Sequence, residues 1–471
     1  MHIDWRFPTM GLSLSAQETA PMNWSVKRIS SVLAVAGIAL LVASPAPAAS
    51  LLEVYERAAT EDAELRAAKA EYRSILERRP LARSAFRPQI TGDAEAGAFY
   101  NDYRGQDSFD GRQTSFGVSL VQSLYDRRNY IELAQADLEI ARAEAELDAA
   151  RQDLILRVSE AYFDVLIAQE TLAFREAELE AIGQQLEQTE RRFEVGLIAS
   201  TDVKEAQAQR DIAEAERIAA ENQLDVAREQ LAVITNTYWD ELDILREDAE
   251  LTPPDPADPQ AWVDIALENN LELAAQRLTT ETAREQIDRQ RAEGYPRLNL
   301  NASVSENRFH GIDDGGTTQQ GVGPFFNEGT EAQVGVRLEF PLYSGGRVNA
   351  LTRQAREDFQ AAQESQSLVE RRTTQDTRNA YLSVIANSSR VRALEQALIS
   401  TQSAFEAAEA GFEVGTRTQV DVLLALREVF RAERDYAEAR YGFLTDSLRL
   451  QRAAGRLSVA DLESINQLLE R

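Results

Sequence analysis

Cysteine is absent from all 471 residues, which excludes a disulfide framework, a thiolate metal site, a thiol nucleophile and a lipidated N-terminal cysteine. Histidine is almost absent: only His2 and His310 occur, and neither has a partner at metal-ligand spacing. Lysine is confined to Lys27, Lys69 and Lys204. Arginine carries the rest of the positive charge, interleaved with acids, and the formal net charge is −28. No positive face is left for a phosphate backbone, so nucleic acid is not an expected partner. Nor do the many carboxylates accompany a nucleophile, a phosphate loop or a metal cluster, so no enzymatic activity and no cofactor are expected.

Long apolar runs are missing too. The run from Val32 to Ala43 is too short to cross a membrane. It follows Lys27 and Arg28 and precedes Ala46-Pro47-Ala48, the layout of a cleavable secretory leader. Residues 1–48 are expected to be that leader, with Met22 the expected true start, and the mature chain is expected to begin near Ala49.

What the sequence does contain is a repetition. Phe-Glu-Val-Gly occurs at Phe193 and again at Phe412, and each phrase is followed by Asp-Val, at Asp202 and Asp421. "AYFDVL" at Ala161 and "AYLSVI" at Ala380 keep the same offset, 219. Upstream, Pro88 faces Pro296 at an offset of 208, so the length difference falls in one loop before Tyr125. A tandem duplication is expected, residues 49–252 and 262–458, joined by the proline-rich 253–261 and followed by a tail at 459–471.

Within each copy the hydrophobic period changes. No proline occurs between Arg127 and Arg192. Apolar residues recur there as Leu133, Ala136, Ile140, Ala143, Leu147, Ala150 and Leu154, the three-then-four seam of a closely packed coiled coil. Such a helix reaches roughly 100 Å at 1.5 Å per residue. Gly196 supplies the left-handed position that ends it, and Ser200, Thr201 or Asp202 can cap a returning helix that is expected to run to about Arg246. Gly415, Thr418 and Asp421 repeat the arrangement. Before each hairpin the period becomes two. Leu298, Leu300, Ala302 and Val304 alternate with Asn299, Asn301, Ser303 and Ser305, and Ala332, Val334, Val336, Leu338 and Phe340 alternate with Gln333, Gly335, Arg337 and Glu339. The strand pairs are expected at 90–124 and 297–342. Segments of about 10 alternating residues suit a membrane-spanning barrel, and Tyr125 and Tyr343 fit its aromatic border. An amphipathic sheet on a soluble core shares the pattern. Four strands cannot close a barrel, for which about eight is the smallest usual number.

Two copies of helix, strand pair, long helix, Val-Gly tip and returning helix resemble the TolC family of outer-membrane efflux and secretion channels, from about Ala49 to Leu457. The most specific phrases are "FEVGLIASTDV" and "FEVGTRTQVDV", supported by the junctions "SLYD" and "PLYSGG". The resemblance implies a mainly α fold with a β-barrel part: a homotrimer sharing a 12-stranded outer-membrane barrel, continued by a periplasmic helical tunnel. The absence of cysteine implies the non-lipidated branch. Leu298, Leu300, Val304, Val334, Val336, Leu338 and Phe340 would face lipid. The implied partners are a periplasmic adaptor and an inner-membrane transporter of RND, ABC or MFS type. The implied adaptor-docking residues are Val195, Gly196 and Leu197 at one tip and Val414, Gly415 and Thr416 at the other.

The gate implied by the resemblance comprises Thr201, Asp202, Phe412, Arg417 and Asp421, with Arg417 latching onto Thr201 and Asp202 of a neighbouring hairpin. Rings of Asp202 and Asp421 would favour cations, although a carboxylate in a first helical turn also serves as a cap. The family's prototype has a tyrosine where Phe412 stands and a second aspartate where Leu424 stands. The alternative to an export duct is a periplasmic coiled-coil scaffold or adaptor, in which the apolar strand faces would be buried.

Overall fold

The computed structural model describes residues 48–101, 109–196, 198–310 and 329–470. Nearly all of the expected leader, Leu197 and residues 311–328 lie outside them. The first half contains α1 (Leu51–Glu61), α2 (Ala63–Leu76), α3 (Arg78–Ser84), β1 (Gln89–Asn101), β2 (Phe109–Tyr125), α4 (Arg127–Glu194) and α5 (Ser200–Thr235). After β3 (Ile244–Leu245) come α6 (Pro259–Asn269), α7 (Leu271–Ala292), β4 (Arg297–His310), β5 (Gly329–Glu339), α8 (Arg347–Glu413), α9 (Gln419–Ala453), α10 (Val459–Asn466) and β6 (Leu469–Glu470). The offsets read from the sequence reappear in these elements. Helix α6 begins at position 259 against 51 for α1, and α9 at 419 against 200 for α5, offsets of 208 and 219. Even the caps correspond: the Asp62 carboxylate accepts from Leu65 N at 2.7 Å and the Asn270 amide oxygen from Leu273 N at 3.0 Å.

Helix α4 has 68 residues, roughly 100 Å of helix. It starts where Asp126 accepts from Arg128 N at 2.9 Å and clasps the Arg128 guanidinium. Ala136, Ala143, Leu147 and Leu154 of the predicted seam are buried. In α5 a buried alanine recurs every seventh residue, at Ala206, Ala213, Ala220 and Ala227, so the two helices of the hairpin approach closely. From Leu154 to Ala168 α4 is buried on nearly every face. There α1, α6, α10 and the β3–β6 pair gather around it, and Trp262, Tyr162, Tyr441 and Phe163 form the largest fully buried group. Tyr162 ties this belt together, its hydroxyl donating to the carbonyls of Ala49 at 3.0 Å and Asp243 at 2.8 Å.

Two expectations are corrected. The returning helix of the first copy stops at Thr235, not near Arg246, because Asn236 adopts the left-handed conformation at φ 52° and its N–H bonds to Ala232 O at 2.7 Å. Asparagine tolerates that conformation better than other non-glycine residues. Its counterpart in the second copy, at the offset shared by the two tips, is Gly455, at φ 71°. Residues 459–470, expected as a tail, instead fold back: β6 pairs with β3, Leu469 opposite Leu245.

The four long strands form one antiparallel sheet in the order β1-β2-β4-β5. Its register aligns the two-residue periods across every strand. Leu298 faces Leu338, Leu300 faces Val336, Ala302 faces Val334 and Val304 faces Ala332; Val118 faces Val304 and Leu120 faces Ala302; Ile90 faces Leu120 and Ala94 faces Phe116. Direct partners lie on the same side of a sheet. One face is therefore apolar across its middle, from Leu298 to Val304 and the residues opposite, with Gln122 near one end and the Glu306–Arg308 pair toward the other. Asn299, Asn301, Ser303, Ser119, Thr91, Asp93 and Glu95 share the opposite face.

Candidate functional site: two helical tips and an apolar sheet face

At both tips the long helix ends in the same geometry. Val195 and Val414 have φ, ψ of −92°, 8° and −90°, 3°, and Gly196 and Gly415 follow at φ 75° and 76°. Gly196 N donates to Phe193 O at 2.9 Å and Gly415 N to Phe412 O at 3.0 Å. At the second tip Thr416 N also donates to Gly411 O at 2.8 Å, completing the paired bonds of a Schellman turn, which only a residue tolerant of positive φ can close. Val195 and Val414 stand exposed beside these glycines, at 70% and 74%.

The helices that return from the tips begin differently. In α9 the Thr418 hydroxyl accepts from Asp421 N at 3.2 Å, and the Asp421 carboxylate accepts from Thr418 N at 2.8 Å and from its hydroxyl at 2.9 Å. This is a full capping box. The bond from the Thr418 N–H, the bond from its hydroxyl and the nearby Arg417 charge hold the Asp421 carboxyl below the usual aspartate range. In α5 the cap position falls to Ala199, which has no side-chain bond to offer, so none of Ser200, Thr201 and Asp202 takes the cap position. Asp202 occupies the same third position as Asp421. Thr201 donates to its carboxylate at 3.3 Å.

Phe412 and Arg417, both expected at the gate, have partners that the sequence did not point to. The Arg192 guanidinium lies over the Phe412 ring, 4.4 Å from its centre, a cation–π contact between the two hairpins that needs the ring and no hydroxyl. Arg417 folds back over Gly411, where an added Cβ would lie 2.8 Å from its Cγ. Within the single chain, and among the described residues, no ion pair joins Arg417 to Asp202. Arg192 was legible only as one of many arginines, because its partner lies in the other half of the chain.

On the sheet, Val334, Val336, Leu338 and Phe340 are 77%, 61%, 67% and 56% exposed, and Val304 is 53% exposed. Leu298 and Leu300 are half-buried between strands β2 and β5. At the foot of the sheet Tyr125 ends β2, with Tyr130 at 6.4 Å and Phe86 against Tyr130 at 5.0 Å between ring centres; Tyr343 is also exposed there. No described helix is long and apolar enough to cross a membrane.

The family model for outer membrane efflux proteins matches residues 54–237 and 262–456, one match to each half of the chain. The chain belongs to this family. Outer membrane protein TolC of Vibrio cholerae is 36% identical over 89% of the chain and 93% of its own length. TolC of Escherichia coli is 36% identical over 90% and 86% respectively. The alkaline protease secretion protein AprF of Pseudomonas aeruginosa is 29% identical over 90% and 88%. The fold matches the solved structure of CusC with a TM-score of 0.73 at 17% identity, over 86% of this chain and 92% of that one. The chain is thus an outer-membrane efflux or secretion channel of the TolC family, a transport protein of the Gram-negative outer membrane that extends into the periplasm.

Proposed function

We propose that three copies of this channel share one barrel of twelve strands and one tunnel of helices, and that the tunnel is a passive water-filled exit duct opening at its helical tips. The observation that carries this reading is the sheet: four strands with a largely apolar face in the open and outer edges, on β1 and β5, that pair with no other described strand. Four strands do not enclose a pore. Edge pairing of β5 with β1 of the next copy satisfies the backbone groups that lipid leaves without partners, and it turns the row of Asn299, Asn301 and Ser303 toward water. Val334, Val336, Leu338 and Phe340 then meet acyl chains.

At the other end each tip residue occurs three times around the axis. Asp421, already anionic and fixed in its capping box, and Asp202 form rings that favour cations. Arg417, which lies over Gly411 and near the Asp421 charge and forms no ion pair among the described residues, is available to the Thr201–Asp202 turn of a neighbouring copy. The Val195–Gly196–Leu197 and Val414–Gly415–Thr416 clefts receive the hairpin tips of a periplasmic adaptor, which delivers cargo from an inner-membrane transporter of the RND, ABC or MFS type. Planar-bilayer conductance of the purified protein tests the reading. Asp421→Ala is expected to lose cation preference and Arg417→Ala to conduct more at rest. Failure of the wild type to form channels overturns the duct.

A further inference from the structure

A charge cluster lies inside the hairpin pair, away from both tips. Glu178 of α4 is 2% exposed. It accepts from Arg175 Nη1 at 2.6 Å on one oxygen, and its other oxygen lies 3.3 Å from Arg427 Nε of α9. Arg175 also reaches Glu216 of α5 at 2.6 Å, and Arg427 approaches the same carboxylate at 3.8 Å and donates to the Gln209 side chain at 3.0 Å. Four charges from three helices thus sum to zero. Toward the tip the contact continues through Leu423, buried with Ile182, Ala206 and Ala213. By position along their helices, Arg427 and Glu178 stand roughly 18–27 Å from the tip glycines.

Arg427 is the member of this group that comes from the second hairpin. Without it one guanidinium, Arg175, is shared by two carboxylates, and a part-buried site centred on the buried Glu178 is left with a net negative charge. Burying an uncompensated charge is costly, far more so than forgoing a neutral contact. Moving α9 away from α4 and α5 therefore carries an electrostatic penalty that does not depend on the tip bonds. On the reading that the duct opens at its tips, this penalty opposes opening. We propose that Arg427 is a positioning residue of the channel: it locks the second hairpin to the first through Glu178 and Glu216 and sets how readily the tips part.

The test is single-channel conductance in planar bilayers at neutral pH, with wild type beside Arg427→Met, which keeps the stem and loses the charge, Arg427→Glu and Arg427→Lys. The closed-to-open ratio is expected to fall roughly tenfold or more in Arg427→Met, further in Arg427→Glu, and to return toward wild type in Arg427→Lys. A role limited to packing would leave Arg427→Met unchanged. The chain has no cysteine of its own, so Ile182→Cys and Leu423→Cys joined by a short bis-maleimide report on this joint alone. In the Arg427→Met background the cross-link is expected to close the leak. Wild-type channels accompanied by Met and Glu variants that conduct identically overturn the lock and leave the duct standing, as does a leak that persists in cross-linked channels. Absence of any wild-type channel overturns the duct itself, and the lock with it.

Discussion

Val336 sits at the middle of the outward row Ala332, Val334, Val336, Leu338 and Phe340, opposite Leu300 on the neighbouring strand. In the proposed three-copy barrel, replacing it by arginine places a guanidinium near the mid-plane of the acyl chains, at about 2–4 kcal/mol per copy for a lipid-facing barrel position. Three copies around one barrel bring the penalty to roughly 6–12 kcal/mol, comparable with the whole stability of a typical folded protein. Val336→Arg is therefore expected to abolish insertion. The matched control is Gln333→Arg, nearby on the same strand but on the opposite, polar face, where the cost is expected to be near zero. The assay is the yield of folded oligomer recovered from outer membranes, and of folding into lipid vesicles in vitro. Equal yields from the two variants would refute the assignment of the apolar face to lipid, because only the side of the sheet distinguishes them.

The tips give a second prediction. Thr418→Ala removes the hydroxyl half of the capping box and is expected to weaken the start of α9 by about 1 kcal/mol, whereas Ala199→Thr supplies a cap above Asp202 and is expected to protect the start of α5. Amide hydrogen exchange in each first turn measures both, and unchanged exchange in Thr418→Ala would dismiss the box. A third prediction concerns acid. Burial raises the Asp62 carboxyl, but bonds from Arg157 and Leu65 N–H and the charges of Arg157 and Arg66 outweigh it, so the folded value lies below the ordinary one. A depressed folded value gives stability that is present above the ordinary aspartate range, near pH 4, and lost as pH falls through the folded value. Asp62→Asn keeps the cap, as Asn270 does in the second copy, and gives up the Arg157 pair. It is expected to lower stability by roughly 1–3 kcal/mol at pH 7 and by less at pH 3. Thermal unfolding in detergent at the two pH values checks this, and a pH-independent difference counts against it.

Much of the fold was legible because its signals are local and periodic. Alternation over Leu298–Val304 and Ala332–Phe340 marks the face that the sheet exposes, and the seam from Leu133 to Leu154 marks the face that α4 buries. The doubled Val-Gly phrase located both tips, since only a left-handed residue can end a helix in that turn. The break at Asn236 was missed because asparagine signals a left-handed cap less strongly than glycine. Gly455, at the corresponding position of the second copy, marked the same place.

The sequence by itself determined the period of each segment, the duplication and hence the family, because these depend on residues that are neighbours along the chain or on one half compared with the other. Only the tertiary structure decided that Arg192 covers Phe412, that Arg417 rests on Gly411, that Arg427 completes the charges around Glu178 and that the C-terminal residues pair with Ile244–Leu245. Most of those pairings join one half of the chain to the other. A charged or aromatic side chain carries no mark of its distant partner until folded helices bring the two within a few ångströms.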